Sequence, residues 1–111
     1  RYDAAQDTYL AVPQDVAAEP SIEADLATAA AMLYFDKDVD NARRLIKSAL
    51  RGIGDTPDDS YWHELRSRAL YLEASSLEEA DPAKAAAKYQ VLVEDYSDTL
   101  VGWLATRKLT P

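Results

Sequence analysis

The sequence predicts an all-α protein, and three observations lead to that fold class. The 111-residue chain contains 20 Ala and 13 Leu but only nine Val and Ile together. Ala and Leu favour helices, whereas β-branched residues favour strands. The apolar residues recur three and four positions apart, which is the helical period. The three Gly and five Pro are few, and the Pro fall between the apolar blocks, so they are expected to separate helices.

The N-terminal third of the chain is predicted to hold two helices joined by a linker. The apolar face of the first helix consists of Tyr2, Ala5, Tyr9 and Val12. Pro13 and Pro20 bracket the linker, residues 14–19. The second helix is expected over about residues 22–35. Ser21 is its predicted N-cap, because a hydroxyl can accept a hydrogen bond from a first-turn N–H.

The third helix is predicted over about residues 39–50. Asp38 can cap its N-terminus with a carboxylate oxygen. Gly52 follows the last apolar residue, where a left-handed backbone conformation commonly ends a helix. The sequence therefore predicts that a short turn joins the second and third helices into a hairpin.

The C-terminal half is predicted to hold three further helices. The fourth covers about residues 60–77. The fifth opens at Asp81, an N-cap, followed by Pro82 at the first helical position, where the missing N–H costs nothing. The last helix begins at about Thr99 and continues toward the end of the sequence.

Three of these segments repeat one packing pattern: a small residue, a large residue four positions later, and an apolar residue three further on. The copies are Ala5/Tyr9/Val12, Ala42/Ile46/Ala49 and Ala85/Tyr89/Leu92. The small residue lets a neighbouring helix approach, and the large residue fills the space beside it. A single hairpin cannot cover its own apolar face, so neighbouring hairpins must stack into a solenoid.

The repeat resembles the tetratricopeptide (TPR) family, a helix–turn–helix repeat. The positions that match the family signature are Leu26, Ala29, Ala30, Leu33, Ala42, Ile46 and Ala49. The spacing from Trp62 to Ala85 exceeds the family's by about seven residues, or roughly two helical turns. The resemblance implies a right-handed α-solenoid of antiparallel helix hairpins. It would form one domain over residues 1–111, with about two and a half irregular repeats.

Two stretches, residues 60–70 and 101–109, are similar to the superhelical scaffold of bacterial soluble lytic transglycosylases and to periplasmic TPR proteins. This resemblance implies a non-catalytic scaffold in the bacterial periplasm or cell envelope rather than the cytoplasm. The chain begins with Arg1, and its repeat pattern starts at a second helix and ends in a first helix. We therefore expect a piece of a longer array.

Composition excludes several classes of function. The net charge of −8 and the pI of about 4.5 disfavour nucleic acid and anionic lipid as partners, because both attract basic surfaces. No apolar run reaches the roughly 18–20 residues that cross a bilayer, so no membrane insertion is expected. The absence of Cys excludes a disulfide framework, a thiolate metal site and a cysteine nucleophile.

No catalytic or metal-binding motif is present, so we expect neither an enzyme nor a cofactor. His63 is the single histidine, and Ser67 stands where a zinc-binding helix would need a second one. No nucleophile elbow occurs. Residues 36–40 resemble the start of a calcium loop. The sixth loop position is Asn41 instead of Gly, however, and the twelfth is Lys47 instead of Glu.

Partner binding is the function that the sequence favours. In the TPR family the first helix of each repeat lines a concave surface. The corresponding positions here are Ala24, Ala27, Ala31, Tyr34, Phe35, Ser60, His63, Ser67, Leu70 and Tyr71. The predicted partner-binding residues among them are Tyr34, Phe35, His63, Ser67 and Tyr71. Exposed aromatic clusters in a concavity are typical of protein-binding sites.

Two structural alternatives remain open for the aromatic residues. Tyr34 and Phe35 could instead pack under the predicted linker. The other aromatic residues at packing positions are expected in the core: Tyr9, Trp62, Tyr89 and Trp103.

The predicted function is therefore a scaffold that presents a concave helical groove to another protein or peptide. One alternative is the non-catalytic superhelical domain of a cell-wall lytic enzyme. Another is a structural oligomerisation module, since the sequence does not determine the oligomeric state.

Overall fold

A computed structural model shows an all-helical protein, which confirms the predicted class. It describes the backbone of residues 14–54 and 60–110, and side chains from residue 22 onward within those ranges. The helices are α1 (Gln14–Ala31), α2 (Val39–Ile53), α3 (Ser60–Ser76), α4 (Pro82–Asp95) and α5 (Leu100–Leu109). A π-helical turn, Met32–Asp36, extends α1. No strand occurs within the described ranges, and the predicted first helix lies outside them.

Side-chain caps begin three of the helices, and those at Asp38 and Asp81 confirm the predicted N-caps. Asp38 accepts a hydrogen bond from the Asn41 N–H at 3.4 Å. Asp81 accepts one from the Lys84 N–H at 3.1 Å, with Pro82 opening the helix. The Thr99 hydroxyl accepts from a first-turn N–H of α5 at 3.1 Å. These boundaries are local, because each cap satisfies a donor only three residues away.

Two predicted boundaries are wrong. Residues 14–19 are helical rather than a linker, so Ser21 lies inside α1 and is not its N-cap. The helix includes Pro20, because proline's fixed φ is compatible with a helix even though its missing N–H removes one hydrogen bond. At the C-terminal end of α2, Gly52 lies within the helix. The helix ends at Gly54, whose φ is +90°.

Helix α3 lies at the centre of the described fold. Each helix packs against its neighbours in sequence. In addition, α1 contacts α3, and α3 contacts α5, whereas no comparable contact joins α2 and α4 within the described ranges. Helix α3 therefore contacts each of the other four helices described.

The interior consists of two hydrophobic clusters. The N-terminal core joins α1, α2 and α3 and contains Leu26, Ala29, Leu33, Ala42, Ile46, Ala49, Leu65, Ala69 and Leu72. The C-terminal core joins the end of α3 to α4 and α5 and contains Ala74, Leu77, Ala85, Tyr89, Leu92, Tyr96, Val101 and Ala105. All members of the second and third copies of the packing pattern are buried, so both copies act as packing surfaces.

The other predicted core aromatics differ from Tyr89. Trp62 is half-buried against the N-terminal core. Trp103 is 55% exposed, so its prediction as a core residue is wrong. Its ring lies beneath the Arg107 guanidinium at 5.3 Å, on a face of α5 that the helical period separates from the buried residues. Tyr9 lies outside the described residues.

Candidate functional site

The first two predicted binding residues lie on the π-helical turn at the end of α1. Tyr34 is 50% exposed and Phe35 is 82% exposed. The turn ends at Lys37, whose φ of 58° reverses the chain toward α2. Phe35 therefore does not pack under a linker, because it is mostly exposed and residues 14–19 are helical.

Tyr71 projects from α3 toward α4. Its ring lies 5.5 Å from the ring of Tyr89, with an angle of 61° between the ring planes. Burial raises the pKa of Tyr71. Lys108 opposes this shift, and Tyr34 and Glu78 add to it. The predicted residues Tyr34 and Tyr71 therefore share one electrostatic environment, although they come from different helical hairpins.

A polar group gathers beside these rings. The Tyr89 hydroxyl donates a hydrogen bond to Glu78 Oε2, and Lys108 Nζ lies 2.9 Å from the same oxygen. The Ser75 hydroxyl donates to the Tyr89 oxygen at 3.0 Å. Lys108 Nζ also lies 5.9 Å from the centre of the Tyr89 ring. We call this group, Tyr34, Tyr71, Glu78, Tyr89 and Lys108, the tyrosine–lysine cluster.

The contacts within the cluster shift three further pKa values. Burial raises the pKa of Glu78, but hydrogen bonds from Tyr89 and Lys108 outweigh it and leave that pKa below its usual 4.5. The bond to Glu78 raises the pKa of Lys108. Burial and the adjacent carboxylate raise the pKa of Tyr89. At neutral pH the Glu78 carboxylate and the Lys108 ammonium are therefore both charged, while Tyr71 and Tyr89 keep their phenolic protons.

His63 and Ser67 lie apart from the cluster. The His63 ring stacks on Tyr96 at 4.7 Å, and its Nε2 lies 3.0 Å from Asp98 Oδ1. Ser67 is fully buried, and its hydroxyl donates to the Glu64 carbonyl. It offers a partner no surface, because α3 is covered on two sides by neighbouring helices. The structure thus places Tyr34 near enough to Tyr71 to influence its pKa, with Phe35 next to Tyr34 in the chain, whereas His63 and Ser67 make their contacts elsewhere.

The sequence analysis did not identify Glu78, Tyr89 or Lys108 as site residues. The available signal was Tyr89, since a phenol at the large position of the packing pattern usually has a hydrogen-bond partner when it is buried. The partner itself could not be identified from the sequence, because Glu78 lies in the turn after α3 and Lys108 lies in the last turn of α5.

Other surface features of the described residues offer less chemistry. An open cleft of about 310 Å³ between α3 and α4 is lined by Arg66, Leu70, Lys88, Val91, Asp95 and Tyr96. No group of three His, Asp or Glu side chains in the described part of the chain could hold a metal ion. None of the helices described is both long enough and apolar enough to span a bilayer.

Comparisons with known proteins name no family for this chain. A scan against protein-family models found no matching family. Searches of curated proteins and of solved structures found no significant match either. The function must therefore be argued from the chain's own residues.

Proposed function

We propose that this chain is a TPR-like helical scaffold that binds a polypeptide partner on the surface formed by Tyr34, Phe35 and the tyrosine–lysine cluster. The observation that carries the proposal is the exposure of two consecutive large aromatic side chains, Tyr34 and Phe35, of which Tyr34 lies near enough to a third, Tyr71, to influence its pKa. Large aromatic residues are the commonest anchors in protein interfaces.

The helix packing supports the TPR-like part of the proposal. Contacts between α1 and α3, and between α3 and α5, with none comparable between α2 and α4, are what a stack of helical hairpins requires. The buried Ala42 and Ala85 occupy equivalent positions in successive hairpins, where each allows close approach of a neighbour. Such stacks present the odd-numbered helices on one continuous face.

The size of the exposed aromatic surface suits a peptide. Fully burying a side chain of the size of Phe contributes roughly 1.5–3 kcal/mol. Two or three such anchors, after the costs of association are subtracted, are typical of a moderate peptide affinity rather than of permanent assembly. The surface is open, which also suits an extended or helical segment.

A peptide-display selection against the wild-type chain tests the proposal. Selected peptides are resynthesised, and their dissociation constants are measured by fluorescence anisotropy for wild type, Phe35→Ala and Trp103→Ala. Trp103 is the matched control, an exposed aromatic residue of α5 that pairs with Arg107. We expect Phe35→Ala to weaken binding by about tenfold or more, which is ~1.4 kcal/mol, and Trp103→Ala to leave it within about twofold.

Two results would contradict this function. One is selected peptides whose affinity depends on Trp103 and not on Phe35. The other is light scattering that shows a symmetric dimer which Phe35→Ala dissociates, since the aromatic surface would then be an oligomer interface.

A further inference from the structure

We propose that the tyrosine–lysine cluster is a binding site for a basic side chain of the partner, and that Lys108 occupies this site in the free protein until the partner's cation displaces it. This inference rests on the proposed function and specifies the partner's chemistry. The partner segment carries a Lys or Arg next to an apolar or aromatic residue.

The groups around Lys108 Nζ are those that recognise cations. A carboxylate oxygen of Glu78 lies 2.9 Å away, and the face of the Tyr89 ring lies at 5.9 Å. The phenols of Tyr71 and Tyr34 are close enough to influence the same ammonium. Aromatic faces combined with a carboxylate attract an ammonium or guanidinium through the ring quadrupole and the formal charge together. The cation present in this setting comes from the chain itself.

Lys108 is not locked into the cluster. Its side chain is 41% exposed, and that of Glu78 is 39% exposed. Lys108 lies in the last turn of α5 and reaches Glu78 on a flexible four-carbon stem. Ion pairs at this level of exposure contribute little net stability. A competing cation could therefore take its place at small cost, while the hydrogen bond from Tyr89 keeps the carboxylate positioned.

The charge of the whole chain favours the same occupant. Its 20 acidic residues against 12 basic ones create a field that attracts cationic segments and repels acidic ones. Tyr34 belongs to the cluster and Phe35 follows it directly in the chain, and both rings are exposed. They can therefore bury the apolar neighbour of the bound cation. The apolar and ionic parts of recognition would then be adjacent.

A pair of synthetic hexapeptides tests this inference. One is acetyl-Gly-Ser-Lys-Phe-Ser-Gly-amide, and the other carries uncharged norleucine in place of Lys. Their affinities are measured by two-dimensional NMR for wild type, Lys108→Met, Glu78→Gln and Lys88→Met. The last variant is the matched control, because Lys88 Nζ makes the same kind of ion pair with Glu73 at 3.1 Å.

Removing the internal competitor should tighten binding of the Lys peptide. We expect Lys108→Met to increase that affinity by about threefold or more, since the site is no longer partly occupied. It should not improve binding of the norleucine peptide. Glu78→Gln should abolish the preference for Lys over norleucine, and Lys88→Met should resemble wild type. The perturbed resonances should include those of Tyr34, Phe35 and Tyr71.

The contrary results separate the two proposals. If Lys108→Met weakens binding, leaves it unchanged or unfolds the chain, Lys108 is a structural tie between α5 and the turn after α3, and the cation site is wrong. If both peptides bind equally at Phe35, the cation site fails while the scaffold function survives. If selected peptides bind elsewhere or do not depend on Phe35, the scaffold function itself fails.

Discussion

The two hydrophobic cores are built on the same packing pattern and differ in the large residue of that pattern. The N-terminal core uses Ala42, Ile46 and Ala49, and the C-terminal core uses Ala85, Tyr89 and Leu92, all buried. Ile46 ends in hydrocarbon. Tyr89 fills the equivalent space and also carries a hydroxyl to the edge of the core, where it meets Ser75 and Glu78. The pattern sets how closely the helices approach, while the large side chain determines whether the contact between them is purely apolar.

The consequences of that difference extend through the C-terminal half. A buried hydroxyl without a partner is costly, so Tyr89 in the core is stable only with an acceptor such as Glu78. The carboxylate in turn attracts Lys108. The tyrosine–lysine cluster thus follows from one aromatic residue placed where the other core has an aliphatic one.

The largest expected effect is at Gly102 in the C-terminal half, and Gly52 in the N-terminal half is its control. A Cβ on Gly102 would lie 2.1 Å from the Tyr96 carbonyl oxygen and 2.8 Å from its carbonyl carbon. Backbone cannot move aside cheaply, so Gly102→Ala should destabilise the chain by about 3 kcal/mol or more. Urea denaturation followed by circular dichroism measures the change.

Gly52 provides the control for that substitution. A Cβ there would meet only the tip of the Ile22 side chain, at 2.9 Å, and Ala is favoured over Gly in a helix by up to about 1 kcal/mol. Gly52→Ala should therefore be close to neutral. Equal losses at both positions would contradict the close approach of Tyr96 to α5.

The second prediction places a tyrosine, the large residue of the C-terminal core, at the equivalent position of the N-terminal core. Ile46→Tyr places a phenol in the N-terminal core, where the surrounding side chains are apolar. The bulk and the hydroxyl together should cost about 2–4 kcal/mol. Ile46→Phe separates the two contributions in the same urea measurement. If Ile46→Tyr is tolerated as well as Ile46→Phe, the N-terminal core has an acceptor or an opening that the structure does not show.

The third prediction removes only the hydroxyl of the C-terminal core. Tyr89→Phe keeps the ring and should destabilise the chain by about 1 kcal/mol. Since the Tyr89 hydroxyl is one cause of the lowered pKa of Glu78, that pKa should rise toward its usual value. NMR titration of the Glu78 carboxyl checks this, and an unchanged titration would show that Lys108 alone controls it.

Local signals made much of the fold predictable, and tertiary contacts made the rest unpredictable. The caps at Asp38 and Asp81 and the buried small–large pattern depend on residues within one or two helical turns. The burial of Ser67 depends on helices on two sides of α3, which a single-helix mapping does not include. The ion pair between Glu78 and Lys108 joins segments distant in sequence, so no spacing rule could indicate it.

The cluster should also make the C-terminal half sensitive to alkali. The pKa values of Tyr71, Tyr89 and Lys108 are all raised, so their contributions to folding are complete below their ordinary values of 10.0 and 10.5. These contributions are lost as the pH rises through the higher folded-state values. The urea midpoint should fall above about pH 10, and it should fall less in Tyr89→Phe. An equal fall in both proteins would exclude Tyr89 as a cause.

The smallest effect is expected at the exposed hydrogen bond between His63 and Asp98. The hydrogen bond from His63 is the main cause that lowers the pKa of Asp98, so His63→Gln should return the Asp98 titration toward 3.8. The folded-state contribution of a lowered carboxyl pKa is present at neutral pH and is lost only as the solution becomes acidic. Because Asp98 is exposed, water already solvates its carboxylate, and the urea midpoint at neutral pH should hardly move. A large loss of stability would mean that the stacking of His63 on Tyr96, rather than the hydrogen bond to Asp98, connects α3 to the turn before α5.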